Sequence, residues 1–290
     1  MLSRRTNFIA LTGQALVLLF AISCASGSSS QTSRTAAQKQ NSTVQNEAAV
    51  ANPLPLVHVF VALADNEHQG IVPVSVALGN GDNPKTNLYW GAAFGVKTFF
   101  SKSKDWELVS SMPNPTPVIL ERCIFKHRTQ NVFLIADAYR GREISQATLD
   151  FLAAAAGQPG YAVEVQLDKK AVTIHAGGSA ELLAYVGHDG LMDFKMPNSP
   201  ERRDQRRRPA IILACASKQY FTGVLERAGA KPLLWTTNLM APEAYILSAA
   251  LDGWIRHESD EQIRVRAATA YNKYQNCGPK AASNLFATGW

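Results

Sequence analysis

The chain has 290 residues, of which 46% are hydrophobic and 18% are charged, and its formal net charge at neutral pH is +6. This composition is typical of one or two globular domains and excludes a fibrous or fully disordered protein. Much of the basic excess lies in the run ERRDQRRR at 201–208, and no aromatic residue interleaves it. We therefore expect a solvated face there and no nucleic-acid partner.

The first segment of the chain is typical of an export signal. Two arginines precede an apolar stretch that is too short and too interrupted for a membrane span. The segment FAISCAS places Cys24 where this signal ends and resembles the lipobox of bacterial lipoproteins, with Ala21 in place of the usual Leu. The resemblance implies that residues 1–23 are removed and that Cys24 is lipidated. A secretory peptide cleaved near Ser26 is the alternative.

Residues 24–53 are rich in Ser, Thr, Gln, Asn and Ala and contain no aromatic residue, so they bury too little apolar surface to fold. We expect a disordered tether between a lipid anchor and a folded domain at 54–290. The membrane is then a partner through that anchor. The expected location is the cell envelope, on its periplasmic or outer-membrane face, with secretion as the alternative.

The first half of the folded part alternates between strand-like and helix-like segments. The apolar, β-branched run 56–64 predicts a buried strand. The segment 86–102 has apolar residues near helical spacing and predicts a helix. Two strand-like segments, a helix-like segment that Gly157 ends, and an inserted hairpin follow at 116–127, 131–141, 142–157, 161–167 and 171–177.

The second half continues this alternation. Ser199, Pro200 and Glu201 are typical of a helix start, so the basic run is expected to form a short crossover helix. Strands and helices alternating in this way favour a three-layer α/β sandwich with a mostly parallel sheet, whose strand C-termini collect at one ligand-binding edge. The remaining apolar patterns predict strands at 180–187, 210–214 and 231–238 and helices at 217–230, 241–257 and 260–275.

Three cysteines remain beyond Cys24, in a compartment that permits disulfides. The odd number leaves at least one thiol free. If Cys123 and Cys277 pair, the free thiol is that of Cys215, although the sequence does not establish the connectivity.

Two of the apolar runs end in residues that can carry chemistry. His188 follows one run and is itself followed by Asp189 and Gly190, and Cys215 follows the other. Both residues fall at the C-terminal ends of consecutive strands, so we expect them close together in the crevice at the sheet edge. The helix N-terminus after Cys215 is expected to lower the pKa of its thiol, and His188 to accept and return a proton. The N–H groups of Cys215 and Gly190 are candidates for an oxyanion site.

An apolar block ending in His with Gly close behind, followed by an apolar block ending in Ala-Cys, resembles the pattern of caspase-fold cysteine peptidases, the group of caspases, legumain, clostripain and gingipains. The match covers about 35 residues, from Glu181 to Cys215. The resemblance implies a caspase-like (caspase-hemoglobinase) architecture, His188 as catalytic base, Cys215 as nucleophile and Gly190 near the oxyanion. It also implies a peptide or protein substrate and no cofactor. Those families usually have Gly directly after His, whereas Asp189 intervenes here.

Four residues at the predicted edge are candidate substrate-binding residues: Asp65, His68, Asp189 and Arg140. An acidic residue such as Asp65 suits a basic substrate side chain, whereas Arg140 suits a carboxylate. The alternatives are a loop of turn formers and an ion pair at a helix start. Asp189 and Asp193 flank His188 and can orient it or bind a cation, and a carboxylate there would raise the pKa of a nearby thiol. No HExxH or CxxC spacing is present, so no metal site is expected.

The sequence thus predicts an exported, lipid-anchored cysteine peptidase-like hydrolase that uses a Cys/His dyad. One alternative is a non-catalytic surface lipoprotein that binds a partner or ligand at the same sheet edge. Another alternative keeps the dyad and uses it for amide hydrolysis or transfer on the cell wall. A Cys215 side chain buried in the core would count against catalysis.

Overall fold

The computed structural model describes residue 52, residues 54–167 and residues 170–290. The expected signal segment, Cys24 and most of the expected tether lie outside these described residues. Within them, no helix is both long enough and apolar enough to span a membrane.

A mixed sheet of eight strands lies at the centre of the fold. The described residues form ten strands: β1 (Leu56–Ala62), β2 (Trp106–Pro113), β3 (Ile119–His127), β4 (Phe133–Tyr139), β5 (Pro159–Leu167), β6 (Lys170–Gly177), β7 (Leu182–Val186), β8 (Pro209–Leu213), β9 (Lys231–Thr236) and β10 (Phe286–Ala287). The sheet has the order β10-β9-β8-β7-β1-β4-β3-β2, and β5 and β6 form a separate hairpin. The strands from β4 through β1, β7 and β8 to β9 are parallel, and the outer pairs are antiparallel.

Helices cover both faces of this sheet because buried side chains alternate along its strands. In β1, Val57, Val59 and Val61 belong to the apolar cluster of one face, and Phe60 belongs to that of the other. The first face packs against α1 (Val96–Ser101), α4 (Ala244–Ile255), α5 (Asp260–Gln275) and α6 (Pro279–Leu285), and the second against α2 (Ile144–Ala155), α3 (Ser217–Ala228) and the hairpin. The predicted α/β class with a mostly parallel sheet is confirmed, and the layering is that of a three-layer sandwich.

The helix predicted over 86–102 is wrong for most of its length, since only Val96–Ser101 is helical. A Cβ atom at Gly91 would lie 2.1 Å from the carbonyl oxygen of Lys85, so the backbone is folded tightly on itself there. The Asn87 side chain accepts the N–H groups of Ala64 and Tyr89 at 3.0 and 3.1 Å. These contacts replace helical hydrogen bonds, and the one to Ala64 joins residues 23 positions apart in the sequence.

The short crossover helix predicted in the basic run is also wrong. The N–H groups of Arg202 and Arg203 donate instead to the carbonyl oxygens of Arg227 and Ala156, at the C-terminal ends of α3 and α2. Arg208 is buried, where it pairs with Asp204 at 2.6 Å and donates to the Gly178 carbonyl at 2.6 Å. The run therefore caps the C-terminal ends of two helices, and the Arg203 N–H is not available for a hydrogen bond within a helix of its own.

Candidate functional site

The residue before His188, Gly187, occupies a backbone position at the sheet edge that requires glycine. Gly187 directly follows β7 and has φ +149°, and a Cβ atom there would lie 2.7 Å from the carbonyl oxygen of Ala62. The His188 ring is buried, and its Nε2 lies 2.7 Å from Oδ2 of Asp193. That contact favours the tautomer that carries its proton on Nε2 and leaves Nδ1 as the proton acceptor.

Cys215 stands at a sharp turn between a strand and a helix. Ala216 after it has a left-handed backbone, with φ 47°, and α3 begins at Ser217. The Ser217 hydroxyl donates to the carbonyl oxygen of Ile212 at 3.0 Å, which fixes this turn against the end of β8. The Cys215 side chain is partly exposed and does not lie in the core.

Strand register brings the two residues to the same level of the sheet. Val186 of β7 pairs with Leu213 of β8, and His188 and Cys215 each lie two residues further along. The N–H of Gly187 donates to the Leu213 carbonyl at 3.2 Å, so the pairing continues past the strand end. Adjacent strands lie about 5 Å apart. Both side chains line one cavity of about 290 Å³.

The Cys215 thiol is held by the backbone of Met240. Its Sγ lies 3.4 Å from the Met240 nitrogen and 3.5 Å from the Met240 oxygen. Among the described residues, no hydrogen bond links the Cys215 thiol to the His188 imidazole ring.

The pKa of the Cys215 thiol is raised, contrary to the expected lowering by the following helix. Burial is the main cause, the hydrogen bond from Met240 opposes it, and the Asp189 carboxylate raises the pKa further. The N–H groups at the start of α3 do not reach the sulfur. That of Ala216 donates to the Asn238 carbonyl at 2.9 Å and that of Ser217 to the Thr236 hydroxyl at 3.1 Å.

Asp189 is fully buried, and only one of its two carboxylate oxygens has a hydrogen-bond partner within the described residues. Its Oδ1 accepts the N–H of Leu191 at 3.0 Å and so caps a short 3-10 turn, Gly190–Met192. Its Oδ2 has no hydrogen-bond partner within the described part of the chain. Burial, together with the nearby charge of Asp193, raises the pKa of Asp189 to about 7. Asp189 does not line the cavity, so the structure does not place it as a substrate contact.

Gly190 does not line the cavity either. Its carbonyl oxygen accepts the N–H groups of Asp193 and Phe194, and a Cβ atom at Gly190 would lie 2.6 Å from the Phe194 ring. Close packing against that ring accounts for the glycine. The structure therefore offers no support for Gly190 as an oxyanion donor.

The other three candidate substrate-binding residues lie outside the cavity lining. Asp65 is buried, and its Oδ2 lies 3.0 Å from Nδ1 of His68, as in a loop of turn formers. Arg140 pairs with Asp82 at 2.6 Å and donates to the carbonyl oxygen of Pro117 at 2.8 Å. The structure does not bring Asp65, His68 or Arg140 to the dyad.

The described cysteines form no disulfide. Cys123 is buried on β3, where burial and then the Glu121 charge raise its thiol pKa to about 12, and Cys277 is exposed. The pairing considered for Cys123 and Cys277 is therefore not formed. Within the described ranges, no group of three or more His, Cys, Asp or Glu side chains is arranged to hold a metal ion.

Sequence reasoning missed the walls of the cavity. Two loops, 70–74 and 239–243, supply most of them, and both combine apolar residues with a proline. Apolar residues in a stretch without helix or strand periodicity were the available signal. The cavity is lined in part by Ile71, Val72, Leu88, Met192, Leu239 and Met240.

Comparisons with protein-family models, with curated protein sequences and with solved structures give no match to this chain.

Proposed function

We propose that this chain is an exported, lipid-anchored hydrolase of the cysteine-peptidase type, with a caspase-like architecture and a peptide or protein substrate. One observation carries the proposal. His188 and Cys215 lie equally far beyond a paired position on adjacent parallel strands, and both line the same cavity. A base and a nucleophile at the C-terminal edge of a parallel sheet are the parts that acyl transfer needs.

The resting nucleophile is a neutral thiol, because burial raises the pKa of Cys215. Its proton therefore leaves during the attack. The S–H proton passes to Nδ1 of His188 as Sγ forms a bond to the substrate carbonyl carbon. The Asp193 carboxylate, 2.7 Å from Nε2, stabilises the imidazolium that results. The Cys215 N–H is the proposed donor to the oxyanion.

The intermediate collapses when His188 returns this proton to the leaving nitrogen. The C–N bond breaks, the amine departs, and the acyl group stays on Sγ as a thioester. Water then gives a proton to His188 and adds to the thioester carbon. The C–S bond breaks, the carboxylic acid leaves, and the thiolate takes back the proton. An amine in place of water would make the same acyl-enzyme a transferase for cell-wall amides.

The non-catalytic alternative also has an observation in its favour. The raised pKa of Cys215 and its contacts with Met240 are those of a structural thiol. In that case the same cavity serves a surface lipoprotein as a binding site for a partner.

Acylation by p-nitrophenyl acetate separates these two functions. The full chain is mixed with the ester, p-nitrophenolate release is followed, and peptide-level mass spectrometry locates the acetyl group. We expect acetyl transfer to Cys215, slowed at least about 100-fold by His188→Ala. The matched control is His257→Ala, which removes an exposed histidine outside the cavity lining. It should leave the rate unchanged.

Exposed Cys277 serves as an internal reference thiol in the same sample. If Cys215 acquires no acetyl group, or if His188→Ala reacts at the wild-type rate, the dyad is wrong. The binding lipoprotein then becomes the better description.

A further inference from the structure

The cavity beside the dyad is large enough for an apolar side chain and is mostly apolar. Its volume of about 290 Å³ lies at the lower end of ligand pockets, which span about 300–1,000 Å³. Val72 is 83% exposed and Leu239 is 65% exposed, so large apolar side chains stand in solvent at its mouth. Exposed apolar side chains grouped around a cavity indicate a surface that becomes covered on binding.

One wall of the cavity, the 70–74 loop, is hydrogen-bonded to the carboxylate that contacts His188. The N–H of Gly70 donates at 2.9 Å to the same Oδ2 of Asp193 that faces His188. At the other end of this loop, the Asn66 amide donates to the Val74 carbonyl at 2.8 Å and accepts the Val74 N–H at 3.1 Å. The 70–74 loop is thus held at both ends in the conformation that lines the cavity.

A second wall of the cavity, the 239–243 loop, contacts the Cys215 thiol. Both backbone groups of Met240 contact Sγ of Cys215, and the N–H of Ala241 donates to the Tyr271 hydroxyl at 3.3 Å. Each apolar wall therefore shares a contact with one member of the dyad. A side chain bound between the walls would lie next to the reacting atoms in a pre-formed site.

The charges near the cavity do not suit an ionic substrate side chain. Glu243 is the only carboxylate among the described lining residues, its Oε2 accepts the Gln275 amide at 2.9 Å, and burial raises its pKa. No arginine or lysine lines the cavity in the described ranges. Arg140 and Arg142 are held outside it by Asp82, at 2.6 and 2.9 Å.

We infer that the cavity receives an uncharged, apolar side chain of the substrate acyl group, such as that of leucine, next to the bond that Cys215 attacks. This inference rests on the proposed function. It differs from the selection of a basic side chain by Asp65, which lies outside the lining.

The test compares p-nitrophenyl esters of N-acetylated leucine, lysine and aspartate on the full chain. The acylation rate of Cys215 is measured for each ester, with p-nitrophenyl acetate as the reference that has no side chain. We expect the leucyl ester to react about tenfold or more faster than the lysyl and aspartyl esters.

Two equally exposed valines provide a matched pair of variants. Val72 and Val76 are both 83% exposed, but only Val72 lines the cavity. Val72→Asp should slow the leucyl ester about tenfold more than it slows the acetate reaction, because only the leucyl ester has a side chain to place in the cavity. Val76→Asp should change neither reaction.

The outcomes separate this inference from the proposed function. Equal rates for the three esters, with His188-dependent acetylation intact, would overturn the apolar specificity and leave the dyad standing. A preference for lysine that disappears in Glu243→Gln would also overturn it and would make Glu243 the selecting group. Absence of acylation by acetate and by all three esters would overturn both.

Discussion

Two buried aspartates of the central sheet region have opposite surroundings. Asp137 on β4 and Asp189 after β7 both have no exposed surface. Asp137 receives two hydrogen bonds from the Arg122 guanidinium, at 2.7 and 3.1 Å, and one from the Tyr161 hydroxyl at 2.9 Å. Its Oδ2 also lies 3.2 Å from Nε2 of His58. Asp189 receives a single backbone hydrogen bond.

The state of each carboxyl follows from these partners. Burial disfavours ionisation of both, but hydrogen bonds and charges from His58 and Arg122 hold the pKa of Asp137 below its usual range. Burial of Asp189 is not offset in this way, so its pKa rises to about 7. The negative charge of Asp137 is therefore balanced by its hydrogen-bond partners. Ionisation of Asp189, beside the candidate dyad, is unfavourable because no comparable partners balance its charge. Uncompensated groups of this kind concentrate at functional sites.

The largest effect on stability is expected from removing Asp137, the carboxylate that Arg122, Tyr161 and His58 contact. Asp137→Ala leaves the Arg122 guanidinium, which is only 6% exposed, without its carboxylate partner. We expect the free energy of unfolding to fall by about 3–5 kcal/mol. Urea denaturation followed by circular dichroism measures the change.

Asp82→Ala is the control for that measurement. Asp82 also pairs with arginines, Arg140 and Arg142, but its side chain is 44% exposed, so the loss should stay below about 1 kcal/mol. If Asp137→Ala costs no more than Asp82→Ala, the buried cluster contributes little to stability and the contrast with Asp189 fails.

A second effect concerns the pH dependence of stability. The native state binds a proton on Asp189 up to about pH 7, whereas the unfolded chain releases it near pH 4. Between these values the native state binds more protons, so this group makes the protein less stable as pH rises. The total contribution is at most about 4 kcal/mol.

Asp189→Asn removes this ionisation while keeping the shape of the side chain. Relative to wild type, we expect the variant to gain stability progressively from pH 4 to pH 7 and to keep the gain above that range. Urea titrations of both proteins at pH 4.5, 6 and 8 measure the difference. A wild-type-to-variant difference that is the same at all three values would show that Asp189 does not hold a proton in the native state.

The smallest of the three effects tests the partner of His188. Asp193→Asn keeps an oxygen for the Gly70 N–H but removes the charge that faces Nε2. We expect acylation of Cys215 by p-nitrophenyl acetate to slow at least about tenfold, because Asp193 orients the ring and stabilises its protonated form. The free energy of unfolding should change by less than about 1 kcal/mol, since the Asp193 side chain is partly exposed. A wild-type acylation rate would remove Asp193 from the mechanism.

Local sequence patterns were sufficient to predict most strands of the sheet. The strands near 56–64, 116–127 and 131–141, the hairpin and the helix at 260–275 are all present. An apolar, β-branched run or a helical period depends on residues close together in the sequence, so it can be interpreted without knowledge of distant contacts. The positions of His188 and Cys215 at strand ends follow from the same patterns.

Elements that depend on contacts between residues far apart in the sequence could not be predicted from local patterns. The apolar spacing of 86–102 suggested one helix, but the tight backbone at Gly91 and the Asn87 bonds restrict helix to its end. The apparent helix start at Ser199 is overridden because Arg202 and Arg203 cap helices far away in the sequence. In both cases tertiary contacts outweigh a weak local preference.

For this protein, the sequence by itself determined the α/β class and the ends of two strands that carry a histidine and a cysteine. Only the tertiary structure decided that β7 and β8 pair in a register placing both residues at one level, and that Asp193 faces the imidazole. It also decided that Met240 and burial hold Cys215 as a thiol. Register, burial and the approach of separate loops are properties of the packed chain, and no short stretch of sequence encodes them alone.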